Sequence, residues 1–162
     1  MDGWWPGSLG CGSLFGMRIS EVLAGKASHE VVTVRSETTV RELVGLLAAQ
    51  NIGAVVVSDD GSSVHGIVSE RDVVRRLNDD ENVLDSPVSA IMSAEVRTCQ
   101  GHQSVHELMV LMTEQRFRHV PVVDKNDRLT GIVSIGDVVK SRISELEFER
   151  DQLDSYVQSS QT

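Results

Sequence analysis

The sequence predicts an α/β fold: two tandem β-α-β-β-α repeats packed face to face with pseudo-two-fold symmetry, followed by a C-terminal helix. Three observations carry that expectation. First, Gly66-Ile67-Val68-Ser69-Glu70-Arg71-Asp72-Val73-Val74 returns 65 residues later as Gly131-Ile132-Val133-Ser134-Ile135-Gly136-Asp137-Val138-Val139. Second, the same spacing aligns residues 31–77 with 96–142 without a gap, so that Thr33 meets Thr98, Glu42 meets Glu107, Gln50 meets Gln115 and Asp59 meets Asp124. Third, within each copy the apolar pattern switches from helical spacing to continuous β-branched runs. A single copy is small enough to bury only about 60% of its unfolded surface. Two copies sharing an interface escape that limit, so one cooperative module is expected.

Residues 1–16 are Gly-rich, with Trp4 and Trp5 but no periodicity and no signal-peptide pattern. They read as a disordered leader, with Met17 as the true start. Repeat 1 is expected over 17–80, repeat 2 over 81–143 and a helical extension over 144–162. Residues 17–23 suggest a short helical turn, and Val88-Ser89-Ala90-Ile91-Met92 resembles it ahead of the second repeat. Residues 31–34 suit either a short buried strand or an extended connector. Thr39 with Glu42, and Ser104 with Glu107, have capping-box spacing. Val40, Leu43, Val44 and Leu47 then stripe one helical face, as do Val105, Leu108, Met109 and Met112. Asn51 and Gly53 end the first helix.

The run Ala54-Val55-Val56-Val57 suits a strand covered on both faces. Asp59-Asp60-Gly61 is a turn signal, and residues 66–69 form the next strand. The second copy has Val120-Pro121-Val122-Val123 and a turn over 124–127. Because Pro121 lacks an N–H, it is expected at a sheet edge or beside a cavity. Closing helices follow from Asp72 and Asp137. Residues 78–87 are acidic and polar and read as a linker. Val139, Ile143, Leu146, Leu153 and Val157 recur at heptad spacing, interrupted by Arg150, which suggests a packing seam and a homodimer.

A formal charge of −9 and a pI near 4.9, with no basic run, argue against nucleic acid as a partner. No apolar stretch reaches the roughly 20 residues of a membrane span. Two cysteines, Cys11 and Cys99, make no disulfide framework and suit a cytoplasmic setting. There is no nucleophile–base–orienter set, P-loop or dinucleotide fingerprint, so no enzyme activity and no catalytic cofactor are expected.

What the residues do suit is a nucleotide. One ionised carboxylate can accept from both hydroxyls of a ribose. Asp72 and Asp137 are placed for this in the first turn of a helix, whose dipole also favours anions. Ser69 and Ser134 could donate to phosphate, and Arg71, Arg118 and His119 are the available cations. A flat adenine would lie against Val32, Ile52, Gly53 and Ala54.

The doubled unit with its Gly-x-x-Ser-x-x-Asp ending resembles a pair of cystathionine β-synthase (CBS) domains, the Bateman module, over residues 17–143. Ser69-Glu70-Arg71-Asp72 and Arg118-His119-Val120-Pro121-Val122 resemble segments of that family. The resemblance implies that each ribose carboxylate serves an adenine pocket in the other repeat. Ser134 and Asp137 would pair with Val32 and residues 52–54. Ser69, Arg71 and Asp72 would pair with Ser93, Val96 and Phe117-Arg118-His119-Val120-Pro121. The ligand implied is AMP, ATP or NAD, read by a protein partner in trans. Arg118-His119 stands opposite Gly53-Ala54, and Arg71 opposite Gly136, so one dominant site is expected.

Three plainer readings compete. The Ser and Asp residues could be helix caps alone. Cys99, His102 and His106 could hold a metal, His102 and His106 being four residues apart. The chain could also be a homodimeric scaffold without ligand.

Overall fold

Each repeat builds its own sheet, and each sheet borrows its last packing element from the segment that leads into the other repeat. The computed structural model describes residues 16–28 and 30–160, so the expected leader lies outside the described residues except for Gly16. A short helix, α1 (Ile19–Ala24), precedes the first unit: β1 (Thr33–Val34), α2 (Val40–Gln50), β2 (Ala54–Val57), β3 (Gly66–Ser69) and α3 (Glu70–Asp79). The second unit repeats it as β4 (Cys99–Gln100), α4 (Val105–Gln115), β5 (His119–Val123), β6 (Leu129–Ser134) and α5 (Ile135–Ser159). The strand orders are β1-β2-β3 and β4-β5-β6, each with one parallel and one antiparallel pair. The crossover helix required by a parallel pair is α2 in one half and α4 in the other.

Local chemistry fixes the ends of these elements. Thr39 Oγ1 accepts from Glu42 N–H at 3.2 Å while the Glu42 carboxylate accepts from Thr39 N–H at 3.0 Å. Ser104 and Glu107 close the same reciprocal pair. Both helices stop at a left-handed residue, Asn51 at φ 52° and its counterpart Arg116 at φ 58°.

Pro121 is not at an edge: it lies buried in the central strand β5. Its missing N–H is absorbed by a ladder of the same length as its twin but shifted one residue along. β1 pairs Thr33 with Val56 and Val34 with Val57, whereas β4 pairs only from Cys99 with Val122 onward. The pair that would join Thr98 to Pro121 is the one that a proline cannot make. The expected linker is also more structured than its polarity suggests. Residues 83–85 form a 3-10 turn, with Val83 buried in the first core and Leu84 half-buried against it.

The exchange between halves is reciprocal. Ile19 and Val22 of α1 lie in the second core, beside Leu108, Met112 and Val133. Val88 and Ile91, from the 3-10 turn over 88–90 and its end, lie in the first core beside Leu43 and Val68. Main-chain bonds repeat the arrangement. Val40 N–H donates to Ser86 O and Val88 N–H to Thr38 O; Val105 N–H donates to Met17 O and Ile19 N–H to Gln103 O. Each half is therefore completed by the segment that leads into the other.

Two glycines permit this approach. A Cβ at Gly66 would stand 3.0 Å from Ser93 O and closer still to Met92 Sδ, and one at Gly131 would meet Leu23 Cδ2 at 2.8 Å. The first obstruction includes backbone, whereas the second is a flexible side-chain end. Gly66→Ala is therefore expected to cost about 1–3 kcal/mol, and Gly131→Ala less. Equilibrium urea unfolding of the two variants checks that order.

Candidate functional site

At both β-to-α junctions a Ser and an Asp three residues apart close a capping box. Ser69 Oγ accepts from Asp72 N–H at 3.4 Å, and Asp72 Oδ2 accepts from Ser69 N–H at 2.8 Å and from its hydroxyl at 2.9 Å. Ser134 Oγ accepts from Asp137 N–H at 3.2 Å, and Asp137 Oδ2 from Ser134 N–H at 2.9 Å. The serines expected to donate to phosphate are thus N-caps, and the aspartates are their third-position partners. Capping uses one oxygen of each carboxylate. Among the described residues, Asp72 Oδ1 receives no hydrogen bond.

Asp72 lines a cavity of about 460 Å³ at the seam between the halves. The first half contributes Gly53, Ala54, Ser69 and Arg71 as well. The second contributes Ser93, Val96, Phe117, Arg118 and His119. Glu70, Arg75, Glu95, Arg97 and Arg116 also face it, and the sequence reading did not single these out. Arg75 had a legible signal, since it lies one turn beyond Arg71 on the same helix face. Arg97 and Arg116 had none; they reach the cleft only because the repeats pack face to face.

The junction at Asp137 is built differently. Lys26 Nζ donates to Asp137 Oδ2 and to Ile132 O, both at 2.9 Å, with the two side chains 29% and 25% exposed. In the first half the equivalent edge residue, Ile67, exchanges two main-chain bonds with Ser93, at 3.0 and 2.9 Å. The connector after α1 is four residues longer, and a lysine side chain replaces that backbone closure. The residues expected to form an adenine pocket opposite Asp137 divide between the first core and the Asp72 cavity. Val32 and Ile52 pack against the first core, and Gly53 and Ala54 line the Asp72 cavity; Val120 and Pro121, expected in the pocket paired with Asp72, are buried in β5.

His119 sits between the two junctions. Burial lowers its pKa most; Asp137 and Glu70 work to raise it, and Lys26 and Arg118 lower it further. It is a neutral donor and acceptor near pH 7, not the cation expected of it. At Asp137 burial works to raise the pKa, but the Ser134 N–H and the Lys26 ammonium outweigh it and hold the carboxyl below its usual value.

The metal alternative has no geometric support. Cys99 is 2% exposed, its Sγ donates to Pro121 O at 3.7 Å, and burial pushes its thiol up to about 12. Among the described residues no three His, Cys, Asp or Glu side chains are grouped to hold a metal ion.

A duplicated α/β unit, with reciprocal packing and a cationic cleft at one of two matched junctions, defines a paired-repeat binding module. The chain belongs to the CBS domain family, whose model matches residues 19–79 and again 88–144. It is 44% identical to the CBS-domain containing protein ATU1752 of Agrobacterium tumefaciens, with a TM-score of 0.73 over 78% of this chain and 99% of that one. It is 33% identical to the mitochondrial CBS domain-containing protein CBSX3 of Arabidopsis thaliana, over 86% of this chain and 71% of the relative. A CBS domain protein of Pyrobaculum aerophilum, PAE2072, solved as a complex with AMP, is 31% identical with a TM-score of 0.70, over 83% of this chain and 99% of that one.

The charges around His119 give a two-sided test. Its folded pKa lies below the ordinary 6.5, so the stability it contributes is complete above 6.5 and is lost as pH falls from there towards the folded value. Lys26→Met removes a cation that lowers this pKa and should raise it. Asp137→Asn removes an anion that raises it and should lower it further. Imidazole titration by proton NMR checks the pair, and shifts of one sign in both variants would contradict the geometry.

Proposed function

We propose that the chain is a regulatory module that binds an adenine nucleotide in the Asp72 cleft and signals its occupancy to a protein partner in trans. One observation carries this reading: Asp72 keeps an oxygen unengaged at the wall of a cavity, at a helix N-terminus, among cations from both halves. Such a carboxylate can accept from both ribose hydroxyls, and the arginines can neutralise phosphate. Ala54, Val96 and Phe117 give the base an apolar surface. The AMP complex of the Pyrobaculum relative supports an adenosine-type ligand. AMP, ATP and NAD all fit this description.

The cleft binds and does not catalyse. Its lining holds the carboxylates of Glu70, Asp72 and Glu95, a neutral imidazole and arginines, and the one hydroxyl bonded to a carboxylate there, Ser69 to Asp72, is committed to the helix cap. The reading further includes a reducing compartment such as the cytoplasm, since Cys99 is a free buried thiol. Among the described residues no helix is long and apolar enough to cross a membrane.

Asp72→Ala is expected to weaken nucleotide binding roughly 10- to 100-fold, the worth of hydrogen bonds to a charged group. Asp137→Ala should have little effect on affinity, because Lys26 holds that carboxylate. Calorimetric titration with AMP, ATP and NAD tests both, with thermal unfolding of the unliganded variants to separate the loss of a cap. Failure of all three to bind or to raise the melting temperature would end the nucleotide reading.

The module is proposed to act as a homodimer through the outer face of α5. Val139, Ile143, Leu146, Leu153 and Val157 share one stripe there and are all exposed, Leu146 at 47% and Leu153 at 66%. A second copy of the stripe would bury them at heptad register. Leu146→Glu with Leu153→Glu should convert a dimer to a monomer in sedimentation velocity, with the fold retained by circular dichroism.

A further inference from the structure

Resting on the nucleotide reading, we infer that the Asp72 cleft selects a nucleoside di- or triphosphate over a monophosphate. Five arginines line this one cavity: Arg71, Arg75, Arg97, Arg116 and Arg118 make five. All are exposed, and among the described residues none forms an ion pair. Glu70, Asp72 and Glu95 are the carboxylates of the same lining, so cations exceed anions there although the whole chain carries −9.

Duplication alone did not put them there. Moved by the 65-residue repeat spacing, the five positions fall on Gly136, Lys140, Val32, Asn51 and Gly53, which hold a single cation. The excess therefore belongs to one cleft and not to the fold. A monophosphate carries about two negative charges, and one or two guanidinium forks satisfy its oxygens. Further phosphates are needed to engage the remaining arginines.

The placement also fits an extended anion. Arg71 and Arg75 are about one helical turn apart on α3, about 6 Å along its axis. Arg97, Arg116 and Arg118 face them from the second half. Arg116 is held in the left-handed region at φ 58°, where the first repeat has asparagine, a residue better suited to it. A chain of phosphates running from the ribose grip at Asp72 would bridge the two halves.

Calorimetric titration of the full chain with AMP, ADP, ATP and inorganic tripolyphosphate, at low and physiological salt, tests this. ATP is expected to bind roughly tenfold or more tighter than AMP, the worth of one added charge-assisted hydrogen bond. The gap should narrow as salt rises. The variant R75Q/R97Q/R116Q should weaken ATP more than AMP and bring their ratio towards one; R75Q alone should move it part of the way. Equal affinity for AMP and ATP would overturn this inference and leave the nucleotide reading intact. Tripolyphosphate binding as tightly as ATP would overturn it by showing an anion site indifferent to the nucleoside. Absence of binding by every nucleotide would overturn the underlying reading as well.

Discussion

Six main-chain hydrogen bonds, three in each half, stitch the segment leading into one repeat onto the approach to the crossover helix of the other: Ser86, Val88 and Ser89 to Val40, Thr38 and Ser36, and Met17, Ile19 and Ser20 to Val105, Gln103 and Gly101. Apolar anchors travel with them, Ile19 and Val22 into one core and Val88 and Ile91 into the other. Neither half has a complete core without chain that the other half's repeat adjoins. Unfolding one therefore exposes buried surface that the other needs, which favours a single cooperative transition. It also restrains how the halves can move, because they cannot part without opening both cores.

On this matched scaffold the two junctions have diverged in charge. Ser69 with Asp72 and Ser134 with Asp137 close identical caps, so the backbone chemistry is shared. What differs is the company each carboxylate keeps. Asp137 has the Lys26 ammonium, supplied by the longer connector after α1, and that pairing is partly shielded from water. Asp72 has a cavity and a surplus of guanidinium groups. His119, held neutral by burial between them, adds no charge to either side near neutral pH. The duplication therefore yields one latched junction and one open one, and the Lys26 latch is invisible in an alignment of the repeats because its connector lies outside the common register.

The doubling, the capping boxes and the strand–helix order were legible because each rests on short-range rules: a Thr or Ser three residues before Glu, β-branched runs, and Asn ending a helix. The Asp72 side of the cleft was legible in part, through the complementary placing of Arg71 and Arg118-His119. Three things were not. Lys26 reaches Asp137 across 111 positions of sequence, from a connector whose register had slipped by four. Arg97 and Arg116 look like ordinary surface charges until the halves are packed. Pro121 suggested an edge or a cavity because the rule concerns one missing N–H, and the sheet answered by shifting the neighbouring ladder one residue along instead.

The cleft and the exposed stripe on α5 meet at one backbone contact. Arg118, whose side chain lines the cavity, accepts through its carbonyl from the N–H of Ile135 at 2.8 Å, and Ile135 is the first residue of α5. In the first half the same bond runs from Glu70 N–H to Gly53 O, so it is a structural feature of both repeats. In the second half it joins a cation at the cleft to a helix whose outer apolar face has no partner among the described residues. On the proposed reading, an anion that draws Arg118 towards α3 also pulls on the start of α5. A partner gripping the stripe acts on the same junction from the other side. Linkage then makes the effect mutual: whatever preference the nucleotide has for one tilt of α5, a partner preferring that tilt returns to the nucleotide in affinity. The size of the signal is bounded by that preference and not by how tightly either one binds.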